Sequence, residues 1–308
     1  HFDGTNIIQD FFYSAFSSTG SNTNQTQVHD ITSDKSGGVY IVGRYCGETY
    51  FTPSIFLTST PSSSITVYNS FILRIDSIGT VLWAKTDFCD GLGAMFSVIS
   101  NNNSEVYASG ITFIAGDRRK FIHKYNLSGS LMDSIYSSNV FMGTSDDDKL
   151  ELGCDSNGDV YLFTTRGEYI AFNNLTLTGL PSSSLFKFTS SLVPLSAISL
   201  KNNWASDVKN LNISSSGNVI LNTYNSNDFE INNIRYSPIN GQSQNIIKID
   251  NNFNFMRNYY FGNGAQYTSV VDVSSNSNNL VMLFYKQGSF INNGITYNSG
   301  IYVVREQF

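Results

Sequence analysis

Short apolar segments recur along the chain, and each follows a turn rich in glycine, asparagine or serine. In the best-formed copy, a Ser-Gly-Gly turn at residues 36–38 precedes Val-Tyr-Ile-Val-Gly at residues 39–43. Successive copies of the Tyr40 position are 67, 54, 59 and 61 residues apart, which indicates five repeats with a period of about 60. The five copies of this turn and strand lie at residues 36–43, 103–110, 157–162, 216–221 and 278–283.

A second apolar segment with a basic residue near its end follows each first one at a variable distance. Its copies lie at residues 71–76, 121–126, 185–188, 246–250 and 302–305. After the first four copies come a polar turn and one more apolar strand, at residues 81–85, 129–136, 192–199 and 253–259. A short strand also precedes each first signature, as at residues 29–33 and 270–274. Each repeat therefore predicts four short antiparallel strands, with a longer loop between the second and the third.

The fifth repeat stops one strand short at Phe308, whereas the apolar segment 7–16 precedes repeat one as 81–85 precedes repeat two. We therefore predict an all-β, five-bladed β-propeller of four-stranded antiparallel blades, closed by the N-terminal strand completing the last blade. A β-helix is the structural alternative. The predicted single domain spans residues 1–308. It comprises a closing strand in 1–28, complete blades at 29–90, 91–140, 141–202 and 203–262, and blade five at 263–308 without its outer strand.

Repeat one carries Gly-Gly-Val-Tyr-Ile-Val-Gly at 37–43, Phe-Ile-Leu-Arg-Ile-Asp at 71–76 and Gly-Thr-Val-Leu-Trp-Ala-Lys at 79–85. These segments resemble the β-propeller repeat of secreted bacterial surface proteins, whose pattern runs Gly-Asn-Val-Tyr-Val-Thr-Gly, Phe-Val-x-Lys-Leu-Asp and Gly-x-x-x-Trp-Ala-Lys. The resemblance is closest in repeat one. It implies an extracellular scaffold or adhesin-like module, and it assigns no catalytic residue.

Charge and composition argue against some classes of protein. A net charge of −6 and a pI near 5.0 argue against a nucleic-acid-binding protein, which normally presents a basic face. No apolar run approaches the roughly 18–20 residues that a membrane-spanning helix needs. Serine and asparagine make up about a quarter of the chain, which is typical of a β-protein kept soluble by hydroxyls and amides.

Polar residues occupy one shared position in the innermost predicted strands, where a propeller's first strands surround its axis. Polar side chains lining a solvated channel are one interpretation. Another is a glycoside hydrolase that uses Asp30, Glu151 and Asp272, if these carboxylates lie within the roughly 5–10 Å of such pairs. The five ligand-binding candidates, allowing one extra residue in repeat five, are Asp30, Ser97, Glu151, Asn210 and Asp272.

Other polar motifs favour structural roles. Residues 155–159 (Asp-Ser-Asn-Gly-Asp) resemble a calcium loop, but equivalent segments lack the oxygen ligands, so a repeated turn explains them better. The acidic run 146–148 is expected to form a solvated loop. The three histidines lack zinc-site spacing, and we predict neither a metal nor a cofactor. The recurring basic residues are expected to pair with acids of adjacent blades; they are Arg74, Lys124, Lys187, Lys248 and Arg305.

The cysteines, the phenylalanine–asparagine segments and the glycosylation sequons give three further predictions. Cys46 and Cys89 are the preferred disulfide pair among three cysteines. Segments that combine phenylalanine with asparagine, at 172–174, 225–229 and 290–294, suit either sugar binding or a structural turn with a buried phenylalanine. Five sequons are candidates for glycosylation: Asn24, Asn102, Asn126, Asn174 and Asn212.

Taken together, these features predict a non-enzymatic module, extracellular or on the cell surface, that binds a glycan or a protein at one end of the ring. The alternatives are the five-bladed glycosidase and a structural subunit of a surface filament or coat that contacts copies of itself.

Overall fold

The structure is a computed structural model of the 308-residue chain. It describes residues 25–34, 36–59, 68–87, 93–101, 105–114, 116–138, 150–165, 170–177, 183–202, 207–225, 229–231, 234–236, 243–261, 268–275, 279–286, 290–292, 295–297 and 300–307.

Repeat one folds into a four-stranded antiparallel sheet in the order β1-β2-β5-β6. Between β2 and β5 the chain forms a separate two-stranded ribbon, β3-β4, where the sequence predicted only a loop. The strands are β1 (Gln25–Ser33), β2 (Val39–Cys46), β3 (Glu48–Thr52), β4 (Ile55–Thr58), β5 (Asn69–Ile75) and β6 (Val81–Asp87).

Repeat two has the same strand order but no ribbon, because its second and third strands continue directly into one long hairpin. That hairpin is paired from Val106↔Tyr125 to Ile114↔Asp117. The sheet runs β10-β9-β8-β7 and consists of β7 (Ala94–Ser100), β8 (Val106–Ile114), β9 (Asp117–Tyr125) and β10 (Leu131–Tyr136).

Repeat three repeats the pattern of repeat one. Its four strands lie in the order β11-β12-β15-β16, with the ribbon β13-β14 between the second and third. The strands are β11 (Leu150–Cys154), β12 (Val160–Thr165), β13 (Ile170–Phe172), β14 (Leu175–Leu177), β15 (Ser183–Phe188) and β16 (Pro194–Asn202).

Repeats four and five follow the same plan, with sheet orders β17-β18-β21-β22 and β23-β24-β27. Repeat four contains β17 (Asp207–Ile213), β18 (Val219–Asn225), β19 (Phe229–Ile231), β20 (Ile234–Tyr236), β21 (Ser243–Ile249) and β22 (Phe255–Phe261). Repeat five contains β23 (Thr268–Ser275), β24 (Asn279–Lys286), β25 (Phe290–Asn292), β26 (Ile295–Tyr297) and β27 (Gly300–Gln307).

The prediction of an all-β chain built from repeated antiparallel sheets is confirmed. The described residues contain strands and turns but no helix. Accordingly, they include no helix of the length and apolarity needed to cross a membrane. The segment 7–16, on which ring closure depends, lies outside the described residues, and β1 already begins at Gln25.

Within the described residues, seven hairpin turns share one geometry. In each, the first residue donates its N–H to the carbonyl of the fifth, and the fourth donates to the carbonyl of the first. In six of them a side-chain oxygen of the first residue also accepts the amide protons of the third and fifth, as Asp34 does from Ser36 and Gly38 at 2.9 and 2.7 Å. The seven first residues are Asp34, Asp76, Asn126, Asp155, Thr189, Ser214 and Asp250.

The fourth residue of these turns has positive φ, which explains why glycine recurs there. In two of the turns this residue is not glycine: Leu192 and Phe253 adopt φ of 55° and 65°. Both side chains are buried, at 4% and 2% exposure, so apolar burial offsets the backbone strain.

The ribbons connect consecutive sheets. Strand β19 of repeat four pairs with β16, the outer strand of repeat three, from Leu200↔Ile231 to Asn202↔Phe229. In repeat three the contact is shorter, and the amide of Ser138, which follows β10, donates to the carbonyl of Ala171 at 2.8 Å. The ribbon of repeat four thus covers the edge of β16, the outer strand of repeat three.

The chain divides into two compact bodies. The N-terminal body contains residues 1–100 and 104–132, and the C-terminal body contains 101–103 and 133–308, so the division falls within β10. In the C-terminal body, one apolar cluster joins residues of sheets three and four. It includes Tyr161, Phe163 and Leu185 on one side and Leu221 and Ile247 on the other. Every residue of β12 is buried, so both faces of the sheet are covered at this strand, which matches its near-continuous apolar sequence.

Candidate functional site

Strand pairing places the five predicted channel residues at one equivalent position. Each lies opposite the residue two places after the Tyr40 position: Asp30↔Val42, Ser97↔Ser109, Glu151↔Phe163, Asn210↔Asn222 and Asp272↔Leu283. In repeat five the connecting turn is one residue shorter than in the other four, which accounts for the different spacing there.

A β-bulge precedes this position in four of the five repeats, after Val28, Met95, Val208 and Val270. In the first two repeats a glycine faces the bulge, Gly43 opposite Val28 and Gly110 opposite Met95. A Cβ at either glycine would collide with a carbonyl oxygen of the neighbouring strand. In these two repeats the close approach of the strands thus requires glycine opposite the bulge. The bulge itself shifts the register just before the polar residue.

Asp30 connects the sheets of repeats one and two. Its Oδ2 accepts hydrogen bonds from the amide of Val98 at 2.8 Å and from the hydroxyl of Ser97 at 3.0 Å. Its Oδ1 accepts the amide proton of Ile31 at 2.8 Å. Burial raises the pKa of Asp30, although these three hydrogen bonds oppose the shift.

These contacts show that two candidates, Asp30 and Ser97, bind each other, and that both oxygens of Asp30 already accept hydrogen bonds. A carboxylate used in this way holds strands together rather than facing a substrate. Glu151 is half-buried on β11, and the side chains of Asn210 and Asp272 lie outside the described residues. The carboxylate distances required for a hydrolase are therefore still a prediction.

The bulge residues of repeats one and two form a stacked aromatic pair. The imidazole of His29 lies parallel to the ring of Phe96, with centroids 4.9 Å apart and planes 5° from parallel. Nδ1 of His29 donates to the carbonyl of Met95 at 2.7 Å. This histidine therefore has a structural role between the first two repeats.

The recurring basic residues pair within their own sheet, and the predicted pairing with acids of adjacent blades is wrong for the first three. Arg74 binds Asp34 at 3.0 Å, Lys124 binds Glu105 at 2.7 Å, and Lys187 binds Asp159 at 3.1 Å. The hairpin register explains this, because each basic residue lies directly opposite the repeated tyrosine, on the strand next to the one that follows the acid-bearing turn.

Each of these cations also lies over a buried tyrosine ring of its own repeat. The distances to the ring centroids are 5.5 Å for Arg74 over Tyr40, 5.8 Å for Lys124 over Tyr107 and 5.2 Å for Lys187 over Tyr161. These three cations therefore have the architectural role that their equivalent positions predict. Lys248 is buried, and the side chain of Arg305 lies outside the described residues.

The calcium-like segment 155–159 is a hairpin turn. Oδ1 of Asp155 accepts the amide protons of Asn157 and Asp159 at 2.9 and 3.0 Å, and its Oδ2 accepts the hydroxyl proton of Tyr161 at 3.2 Å. Lys187 neutralises the second carboxylate of the turn. The part of the chain that the structure describes contains no group of three or more His, Cys, Asp or Glu that could hold a metal. The acidic run 146–148 and His1 lie outside it.

The phenylalanine–asparagine segment 172–174 forms the turn of the ribbon β13-β14. Phe172 is fully buried against Phe186 and Phe188, with ring centroids 5.1 and 5.4 Å away, so it cannot stack on a sugar. Asn173, at φ 51°, and Asn174 are exposed at the tip. The phenylalanine therefore has the structural role, and the amides face solvent.

The glycosylation candidates differ in their surroundings. Asn174 is exposed, whereas Asn126 has its side-chain oxygen bound to the amides of Ser128 and Ser130 inside a hairpin turn. Asn212 is half-buried on β17. Asn24 and Asn102 lie outside the described residues.

Cys46 and Cys154 form no disulfide with each other or with another described residue. Burial and the charge of Asp155 raise the pKa of Cys154 to about 11, and burial raises the pKa of Cys46. Cys89 lies outside the described residues, so the Cys46–Cys89 disulfide stays a prediction.

Two titratable groups in the N-terminal body, Asp87, half-buried, and His123, buried, had no signal in the sequence. Burial raises the pKa of Asp87 to about 6, and its Oδ2 has no hydrogen-bond partner among the described residues. Burial lowers the pKa of His123 to about 4. The imidazole of His123 packs against Phe121, at 4.1 Å between centroids, and lies 3.2 Å from the hydroxyl of Tyr125.

Comparison with known proteins gives no family assignment. No protein-family model matches the chain, and a search of curated proteins finds no match.

Proposed function

We propose that the chain is a non-enzymatic extracellular or cell-surface module that recognises a glycan or a protein, or assembles with copies of itself. The observation that carries this proposal is the use of Asp30 as a link between sheets. Its carboxylate accepts hydrogen bonds from Val98 and Ser97, so a leading catalytic candidate has a structural function. The ion pairs of Arg74, Lys124 and Lys187 stay within their sheets, which further supports a scaffold.

The scaffold that we propose is a five-bladed β-propeller closed by residues 7–16. Five repeats with one antiparallel strand order support it, as do the hydrogen bonds between the sheets of repeats one and two. Repeat five has three strands in the described part of the chain, which leaves β27 available for a fourth. Closure by an N-terminal strand would remove that edge. The resemblance of repeat one to propeller repeats of secreted bacterial surface proteins also supports this architecture.

Recognition is assigned to the sheet ends that carry the ribbons, opposite the seven hairpin turns of shared geometry. At the ribbon tip of repeat three, Asn173 and Asn174 expose side-chain amides, which can both donate to and accept from sugar hydroxyls or a peptide backbone. A paired asparagine also occurs in the ribbon segments of repeats four and five, at residues 232–233 and 292–293. A pair of asparagines that recurs in the sequence of three repeats suits a ligand that itself repeats.

The experiment combines a glycan array with a hydrolysis assay on the same polysaccharides. Binding without product formation supports the proposal, and Asn174→Ala is expected to weaken binding, while the exposed Asp133→Asn serves as the control. Polysaccharide cleavage that is lost in Glu151→Gln would overturn the non-enzymatic assignment in favour of the glycosidase. Ordered arrays in electron micrographs, with no glycan bound, would assign the chain to a filament or coat.

A further inference from the structure

The ribbon β3-β4 of repeat one carries two aromatic rings side by side on its outer face. Thr49 and Leu57 lie opposite each other, and both are buried, Leu57 within the apolar cluster of sheet one. Because side chains alternate along a strand, the next pair, Tyr50 and Phe56, points to the other face of the ribbon. Phe56 is 50% exposed there. Sheet one therefore covers the inner face of the ribbon and leaves this ring in contact with solvent.

The two rings hold each other in one orientation. Their centroids lie 5.3 Å apart and their planes are 24° from parallel, so Tyr50 covers one face of the Phe56 ring. The hydroxyl of Tyr50 donates to Oε2 of Glu48 at 3.0 Å, which fixes the tyrosine ring from its far end. The phenylalanine ring is thus positioned by its neighbour, and the surface that it exposes lies on the side away from Tyr50.

Polar side chains lie directly beside the ring pair. Glu48 and Thr58 form the adjacent outward pair of the ribbon, two positions along the strands from Tyr50 and Phe56, which is a separation of about 6.6 Å. A carboxylate accepts several hydrogen bonds, and a hydroxyl both donates and accepts. The outer face of the ribbon therefore combines an exposed ring with hydrogen-bonding groups at its side.

The ring pair distinguishes repeat one from the other repeats whose ribbons the structure describes. Tyr50 lies ten places after the repeated tyrosine position, and the same count in the other repeats gives residues 171, 230 and 291. With their cross-strand partners, these positions form the pairs Ala171↔Thr176, Glu230↔Arg235 and Ile291↔Thr296. Features that recur in every repeat, such as the hairpin turns, serve the architecture. The architecture of a ribbon does not require an aromatic pair at this position, so the pair points to binding.

We propose that Phe56 is a stacking platform for a sugar of a neutral β-linked glycan, and that Glu48 and Thr58 bind the hydroxyls of the same sugar. A pyranose with mostly equatorial substituents presents C–H bonds on its faces, and their partial positive charge is attracted to the negative face of an aromatic ring. Its hydroxyls project sideways, toward the polar groups beside the ring. This inference rests on the proposed recognition function and assigns its ligand to the glycans.

A cationic side chain of a peptide is the other ligand that an aromatic ring beside a carboxylate attracts. The observations favour the sugar, because the attraction between a cation and a ring is strong only where both are removed from water, and Phe56 is half exposed. The neighbouring Thr58 is also neutral and exposed. Salt separates the two ligands, since it screens the attraction between exposed charges but not the stacking of a neutral sugar.

Isothermal titration calorimetry of the full chain with cellohexaose and with β-1,4-galactohexaose tests the proposal. Phe56→Ala removes roughly 100 Å² of apolar contact surface, half of a phenylalanine side chain, and is expected to raise the Kd at least about tenfold. Phe56→Trp keeps a ring and should bind at least as tightly as the natural chain, with a shift of tryptophan emission on binding. The matched control is Ile78→Ala. Ile78 is 70% exposed in a hairpin turn at the other end of sheet one, so its loss should leave the Kd unchanged.

The outcomes separate this inference from the proposed function. If neither hexaose binds at millimolar concentration, or if Phe56→Ala binds as tightly as the natural chain, the stacking site is overturned. In the second case glycan recognition itself stands, at another site. Binding of a polylysine peptide that weakens between about 0.05 and 0.5 M sodium chloride, without binding of a hexaose, would replace the sugar by a cationic peptide. Hydrolysis of a hexaose that binds through Phe56 would support the stacking site and overturn the non-enzymatic assignment.

Discussion

Asp87 and His123 lie in the N-terminal body and are expected to oppose each other in the pH dependence of stability. The folded-state pKa of Asp87 is raised from 3.8 to about 6, so its ionisation destabilises the fold as pH rises from about 4 to 6. The folded-state pKa of His123 is lowered from 6.5 to about 4, so its protonation destabilises the fold as pH falls from about 6.5 to 4. Both effects arise from burial.

The two shifts have similar sizes. Each is a little more than two pKa units, or up to about 3 kcal/mol, of which about 2 kcal/mol develops between pH 4 and 6.5. Because the effects have opposite signs over the same interval, the natural chain should show little pH dependence from these groups. In Asp87→Asn only the histidine effect remains, so the free energy of unfolding should rise by about 2 kcal/mol from pH 4 to 6.5. In His123→Phe it should fall by a similar amount.

Urea unfolding at half-unit pH intervals measures this. The chain has two tryptophans, so Trp204→Phe leaves Trp83, in β6 of the same body, as the only tryptophan reporter. Asp133→Asn, which changes an exposed carboxylate, is the matched control and should keep the parent profile. A double variant of Asp87 and His123 should return to a flat profile. If Asp87→Asn and His123→Phe both kept the parent profile, the burial argument would be refuted.

Three further predictions concern single contacts. Asp30→Ala leaves the amide of Val98 without its acceptor and should lower the free energy of unfolding by about 1–3 kcal/mol in urea titrations. An unchanged free energy would show that the link between the sheets contributes nothing. Gly129→Ala should lower the melting temperature in calorimetry more than Gly116→Ala does. Both glycines have positive φ, but a Cβ at position 129 would lie 2.8 Å from an indole ring, whereas the space at position 116 is open. Equal losses of stability would contradict this difference. Cys154 should react slowly with a thiol reagent at pH 8 in the folded chain and rapidly in urea, and equal rates would show that its pKa is not raised.

The repeated sheets could be predicted because local chemistry repeats with them. Tyr40, Tyr107 and Tyr161 are fully buried at equivalent positions, and the turn residues before them supply the hydrogen-bonding side chains that hairpins need. These signals depend on only a few consecutive residues. The period of about 60 was therefore visible even where individual strands were weakly patterned.

The ribbons and the partners of the charged residues were not predicted, because they depend on how strands align. Phe172 and Asn174 were read as part of a loop, since three-residue strands carry too little alternation to be recognised. The assignment of Arg74 to an acid in an adjacent blade failed because the hairpin register determines its neighbour, and that register places Asp34 3.0 Å away. The link from Asp30 to Val98 required the bulge, which has no sequence signature of its own.

The missing ribbon of repeat two has a mechanical consequence. Strands β5 and β6 meet repeat two through side chains here: the guanidinium of Arg74 on β5 and the indole of Trp83 on β6 both donate to the carbonyl of Leu127, at 2.8 and 2.9 Å. Between repeats three and four, by contrast, three consecutive residue pairs of backbone join the neighbours. Under load or partial denaturation, the hydrogen bonds at Leu127 should therefore break before the strand pairing of β19 with β16, and unfolding should start at Leu127.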